Sequence, residues 1–179
     1  AKAKRLLADA GYPNGDGFPS IEILYNTDED HRKIAEAVQA MWKETLGIEA
    51  TLLNQDWKVY LDSRDQSNYD IARAGWIGDF VDPVNFLECL TTGNGNNHSG
   101  WSNAEYDRLV ETARYTNDMT ERNRLYTEAE TLMLSEMPIL PIYIYTRVYL
   151  MDPAVKGREA NPMDYILFKS LWLERSASE

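Results

Sequence analysis

Apolar positions along the chain change period several times, and each change marks an element. Leu6, Leu7 and Ala10 give a first helix its apolar stripe, and Gly11, Pro13, Gly15 and Gly17 break it into a turn-rich loop. Residues 20–26 read as a strand. Asp28 or Asp30 caps the next helix, in which Ile34, Val38, Met41, Trp42 and Thr45 recur at helical spacing before Gly47 stops it. Residues 48–53 form another strand, and Trp57 and Leu61, with Tyr60 close by, make a third helix with Arg64 near its end. From Tyr69 to Trp76 the composition is again strand-like and is expected to form the central strand. Asp82-Pro83 then supplies an N-cap and a proline at the first helical position. This strand, helix, strand order with short connections predicts an α/β fold, a mainly parallel sheet flanked by helices.

Downstream, residues 91–100 (TTGNGNNHSG) form a flexible polar loop that matches neither a phosphate-cradling nor a dinucleotide-binding glycine pattern. Asn97-His98-Ser99 has the form of a glycosylation sequon, a triplet common by chance. Ser102 and Glu105 make a capping box for a helix with Tyr106, Leu109, Val110 and Ala113 inward. A further helix from Thr120 to Met137 buries Leu125, Ala129, Leu132 and Met133, and Pro138 ends it. Residues 139–151 (ILPIYIYTRVYLM) are continuously apolar or aromatic, the composition of a strand buried on both faces. Asp152-Pro153 closes that strand, and short apolar runs at 165–168 and 171–173 precede a polar tail.

At 179 residues the chain holds one domain with a real core, or one domain plus a stray segment. Asp and Glu number 29 against 18 Lys and Arg, a net charge of −11 that argues against a nucleic-acid partner. The single cysteine, Cys89, permits no internal disulfide and is read as core filling. No apolar stretch is long enough to span a bilayer, and the N-terminus reads as a short amphipathic helix rather than a signal peptide. Because it also lacks an initial methionine, the chain is expected to be mature, processed or excised from a longer protein.

Catalytic parts are scarce. His31 and His98 lie far apart, with no HExxH, no Cys/His cluster and no GxSxG, so neither a metal nor a cofactor is expected. Asp79 paired with another acid leaves open an acid/base hydrolase acting on peptides or glycans, although nothing selects the second member. A protein-interaction domain without a small ligand is the other alternative. Binding has a better candidate: Asp79 beside Trp76, at the carboxyl end of a parallel strand, is a seat for a cation such as a peptide's α-ammonium. The competing reading is that Asp79 caps a turn and Trp76 belongs to the core.

The ordered runs Asn54-Gln55-Asp56-Trp57, Leu61-Asp62-Ser63-Arg64 and Tyr69-Asp70-Ile71-Ala72-Arg73-Ala74-Gly75-Trp76, with Asp79 and Pro83, resemble the periplasmic oligopeptide-binding proteins of ABC importers. The resemblance covers essentially all of this chain but only the C-terminal third of a family member, so a first lobe and a signal sequence would lie upstream. It implies a solute-binding protein and not an enzyme, located in the periplasm, or extracytoplasmic and lipid-anchored in a Gram-positive host. Its partners would be short peptides and, through the full-length receptor, the membrane permease subunits. By the same resemblance, Asp79 anchors the peptide ammonium and Trp76 lines a side-chain pocket, while backbone at Gly75 and Ile77 holds the peptide main chain. The family motif has Trp, two variable residues, Asp, then Tyr; here Phe80 stands for the tyrosine, which removes only a hydroxyl.

Arg73 and His31 match basic positions for the far carboxylate of longer peptides, and Arg64 is a nearby cationic candidate. Tyr145 resembles a pocket-wall aromatic, and Trp57 is shared between core and cleft. Without the resemblance, Arg73 would pair with an acid, Arg64 would cap a helix, and His31 would be a solvated residue at a helix start. Residues 1–138 are expected to form the peptide-binding C-terminal lobe of a type II periplasmic binding protein. Residues 139–179 would be a crossover returning to the N-terminal lobe, so that in this chain alone the segment 139–172 would self-associate, as in a homodimer, or be poorly ordered.

Overall fold

Ile21 to Asn26 form the strand around which the first half is built, in a computed structural model that describes residues 1–161 and 163–174. Pro162 and residues 175–179, with the polar tail, lie outside the described residues. The chain divides into two units, residues 1–76 and 77–179.

In the first unit, α1 (Lys2–Asp9) leads through a 3-10 turn (Pro13–Gly15) to β1 (Ile21–Asn26), α2 (Glu29–Leu46), β2 (Ala50–Gln55), α3 (Trp57–Asp65) and β3 (Ile71–Ala72). The sheet is parallel, in the order β2-β1-β3, with Ile21 opposite Ala50 and Ile23 opposite Ile71. The central strand is therefore β1, and the stretch expected to be central is a two-residue strand at the edge of this sheet. Its ladder gains one more bond, from Arg73 N–H to the Leu24 carbonyl at 2.8 Å, and then ends.

Ile23, Tyr25, Ala35 and Ala50 form the core of this unit, with Ile21, Val38, Trp42 and Leu52 packed against it. Met41 and Thr45, expected inward, are exposed, whereas Val38 and Trp42 pack on the core as expected, with Ala35 beside them in the stripe. Ala35 is small, which lets α2 lie close on the sheet. Gly47 ends α2 at φ 72, and a Cβ there would come within 2.1 Å of the Asn14 carbonyl oxygen. Only glycine fits where the α1 turn meets the end of α2.

The second unit holds α4 (Val84–Leu87), which runs into a 3-10 turn (Glu88–Leu90), then α5 (Ala104–Tyr115) and α6 (Met119–Glu136). Tyr106, Leu109, Val110 and Ala113 from α5 meet Leu125, Tyr126, Ala129 and Met133 from α6 over Val84, Leu87 and Leu90. The Tyr106 hydroxyl donates to the Leu87 carbonyl at 2.6 Å, so a buried phenol keeps its hydrogen bond. The cap of α5 is Asn103, not the expected Ser102 and Glu105 box. Its side-chain oxygen accepts from the N–H groups of Glu105 and Tyr106 at 3.0 and 3.1 Å. Ser102 pairs with the Thr92 hydroxyl instead, and Glu105 turns to Arg108. The polar loop before α5 is pinned rather than free, since the Asn97 amide donates to the carbonyls of Leu90, Thr91 and Trp101.

Met137 closes α6 in the left-handed conformation at φ 56, and Pro138 follows. Residues 139–151 are neither a strand nor buried: Ile144 is 91% and Val148 92% exposed. Their composition suits burial, but a buried strand needs neighbouring ladders on both edges, and none of the described residues supplies one. Beyond them β4 (Val155–Lys156) and β5 (Trp172–Leu173) pair antiparallel.

Candidate functional site

The two units hold different candidates, and in each the chain's local chemistry sets their positions. In the first unit the carboxyl end of the sheet gathers polar groups, as open parallel sheets do. β1 ends in the buried Asn26, and Asp28 then caps α2 by accepting the N–H groups of Asp30 and His31 at 2.9 and 3.0 Å. These bonds hold the Asp28 carboxyl below its ordinary range, with the His31 N–H as the largest cause. His31 is thereby fixed in the first turn, its Nδ1 3.7 Å from Asp28 Oδ1.

Arg73 arrives from the opposite side of β1. Its N–H bonds Leu24, its carbonyl accepts from the buried Tyr60 hydroxyl, and its Nη1 lies 3.5 Å from Asn26 Oδ1. Partial burial holds the His31 imidazole below the usual histidine range, the Arg73 charge adds to the effect, and Asp28 and Asp30 oppose it. Arg73 and His31, separated by 42 positions in sequence, thus lie in one electrostatic neighbourhood.

Arg64 is placed differently. Its guanidinium carbon lies 5.5 Å from the centre of the Tyr60 ring, a cation–π arrangement, and its charge opposes the rise that burial causes in the Tyr69 phenol. Trp57 stacks on the same Tyr60 ring, with centres 5.5 Å apart and 28° between the planes, and stays more than half exposed. Gly75 and Trp76 follow β3 without regular structure, both exposed.

In the second unit, Asp79 lies on a loop between the exposed Ile77 and α4. Its carboxylate side is exposed, and its main-chain N–H donates to Asn85 Oδ1 at 3.1 Å. The far end of the loop is tied by Asp82, whose carboxylate accepts the Val84 N–H at 2.9 Å and meets Arg122 Nη2 at 2.6 Å. Asp82 thus bonds the first N–H of α4, but α4 begins at Val84 with Pro83 as its N-cap, so the expected Asp82 cap and first-position proline lie one residue ahead of the helix start. Tyr145, in the exposed apolar segment, stands edge-on to Tyr143 with ring centres 4.8 Å apart.

Four residues of these arrangements escaped the sequence: Asn26, Tyr60, Asn85 and Arg122. Asn85 left a trace, a polar residue in the otherwise apolar turn Val84-Asn85-Phe86-Leu87. Tyr60 also left one, at the i+3 position from Trp57 on α3. Nothing local marks Asn26 or Arg122, whose partners come from distant elements. Cys89 is buried with its thiol pushed up to about 11 by burial and donates to the Asn85 carbonyl, the state of a core residue. Among the described residues no three potential metal ligands gather, and no helix is long and apolar enough to cross a membrane.

Comparison with known proteins gives these clusters a setting. The family model for bacterial extracellular solute-binding proteins, family 5 Middle, matches residues 1–98. The oligopeptide-binding protein OppA of Bacillus subtilis is 43% identical over 152 residues, 84% of this chain and 28% of that protein. The periplasmic murein peptide-binding protein MppA of Escherichia coli is 42% identical over 175 residues, 97% of this chain and 32% of that protein. The structure of a murein tripeptide-binding MppA in its unliganded open form superposes with a TM-score of 0.84 at 41% identity, over 96% of this chain and 33% of that one. The chain spans about a third of the length of the relatives it matches.

Proposed function

As this chain belongs to the bacterial extracellular solute-binding proteins of family 5, we propose that it supplies part of the peptide-binding lobe of a receptor that delivers short peptides to an ABC permease. The observation that carries this reading is the Asp79 loop. An exposed carboxylate stands on a main chain tied down at both ends, by Asn85 and by the Asp82–Arg122 pair. Such a group is ready to accept a charge-assisted bond from an ammonium. In the other unit Arg73 and His31 offer cationic groups for a carboxylate, and Arg64 offers a further one. Trp76, Trp57 and Tyr145 provide partly exposed aromatic surface for side chains, and the exposed backbone at Gly75 and Ile77 is open to pairing with peptide main chain.

The division of labour follows the same reading. Residues 1–138 act as the lobe, and residues 139–179 lead back to a lobe that the longer relatives possess. The exposed apolar run at 139–151 supports this, because such a surface suits burial against further chain. Relatives described as periplasmic support a periplasmic location. The protein works by binding and release, with no catalytic step and no cofactor. Mass spectrometry of ligands tests this: the full-length receptor incubated with a mixed tripeptide pool should retain peptides and return them at unchanged mass. Accumulating cleavage products would replace this reading with that of a hydrolase.

A further inference from the structure

Asn85 is a carboxamide at a core position. It is 2% exposed, between Val84 and Leu87 of the buried cluster, where an apolar side chain of the same size would fill the space without needing hydrogen-bond partners. Its oxygen accepts the main-chain N–H of Asp79 at 3.1 Å, a bond that closes the loop across six residues. The loop presses close on this oxygen from a second direction as well, since a Cβ at Gly78 would lie 3.3 Å from Asn85 Oδ1 and 3.2 Å from the Phe86 ring. On the far side, Asp82 binds the Val84 N–H and Arg122, so the two residues between the ties, Phe80 and Val81, are bracketed by bonds to α4 and α6. The Asp79 main chain uses this polarity, through a bond that an apolar side chain at the same position could not accept.

We propose that Asn85 is a positioning residue for the Asp79 carboxylate and so for preference toward ligands with a free amino terminus. A carboxylate on a free loop must be ordered when its partner arrives, and fixing its main chain beforehand removes that cost. The inference rests on the reading of Asp79 as the ammonium anchor. A purely structural role for Asn85 would affect all ligands alike, whereas a positioning role affects only those that use Asp79.

The test compares trialanine with N-acetyl-trialanine on the full-length receptor, by calorimetry and by competition up to millimolar concentration. Asn85→Leu should weaken trialanine about tenfold, equal to about 1.4 kcal/mol, and leave the acetylated peptide within about twofold. Asn85→Ser, which keeps a hydroxyl acceptor, should recover part of the preference. If Asp79→Asn abolishes the preference and Asn85→Leu preserves it, the positioning role is overturned while the anchor stands. An unchanged preference in Asp79→Asn overturns the anchor itself. If Asn85→Leu loses both ligands through misfolding, Asn85→Ser decides: equal weakening of both peptides overturns the proposal, and selective weakening of trialanine sustains it.

Discussion

His31 shows how one residue's surroundings set a measurable behaviour. Its folded pKa lies below the unfolded value of 6.5, because burial and the Arg73 charge disfavour the imidazolium. The neutral ring therefore contributes stability that is fully present above the unfolded value and is lost as pH falls from there through the lower folded value. Urea midpoints should drop between pH of about 7.5 and about 5.5, and His31→Gln should reduce that drop. Equal slopes in both proteins would show that His31 does not set this pH dependence. A peptide carboxylate docked beside Arg73 and His31 would favour the protonated ring, so binding should take up protons near neutral pH. Calorimetry in two buffers of different ionisation enthalpy detects this, and identical heats would separate His31 from the carboxylate. Both residues were singled out in the sequence as matches to basic positions of the family it resembles. Their proximity was not, because it depends on β3 pairing with β1 and bringing position 73 beside position 31.

At the level of elements, Tyr60 links α3 to the strand edge by donating its buried hydroxyl to the Arg73 carbonyl. Tyr60→Phe leaves that carbonyl without its donor and should cost about 1–3 kcal/mol in chemical denaturation, with peptide affinity lowered too if Arg73 moves. No change in either would show the bond to be incidental. Gly47→Ala should destabilise by more than about 1–2 kcal/mol, since the left-handed φ is compounded by a clash with the Asn14 carbonyl. The helices α2, α5 and α6 were evident in the sequence because period and caps are local properties. The shortness of β3 and the exposure of residues 139–151 were not, because strand formation depends on pairing partners elsewhere in the chain. The cap of α5 fell to Asn103 rather than Ser102 because adjacent residues both qualify and only the backbone course separates them. In the candidate site the same division holds: Asp79 and Asp82 sit in a recognisable local pattern, whereas Asn85 acquires its role only when the loop folds back on it.

For the molecule as a whole, the exposed run through Ile142, Ile144, Val148 and Leu150 should make this chain self-associate. Sedimentation at several concentrations should show dimers that Ile144→Lys with Val148→Lys disperses; a monomer at every concentration would indicate that the run needs no partner. In the complete receptor, as proposed above, Asp79 is to hold a peptide's ammonium. Titration calorimetry with a tripeptide on wild type and Asp79→Asn tests it directly. Loss of a charge-assisted bond of about 1.5–3 kcal/mol predicts binding weaker by roughly ten- to a hundredfold, and an Asn variant that binds within about threefold of wild type would contradict it.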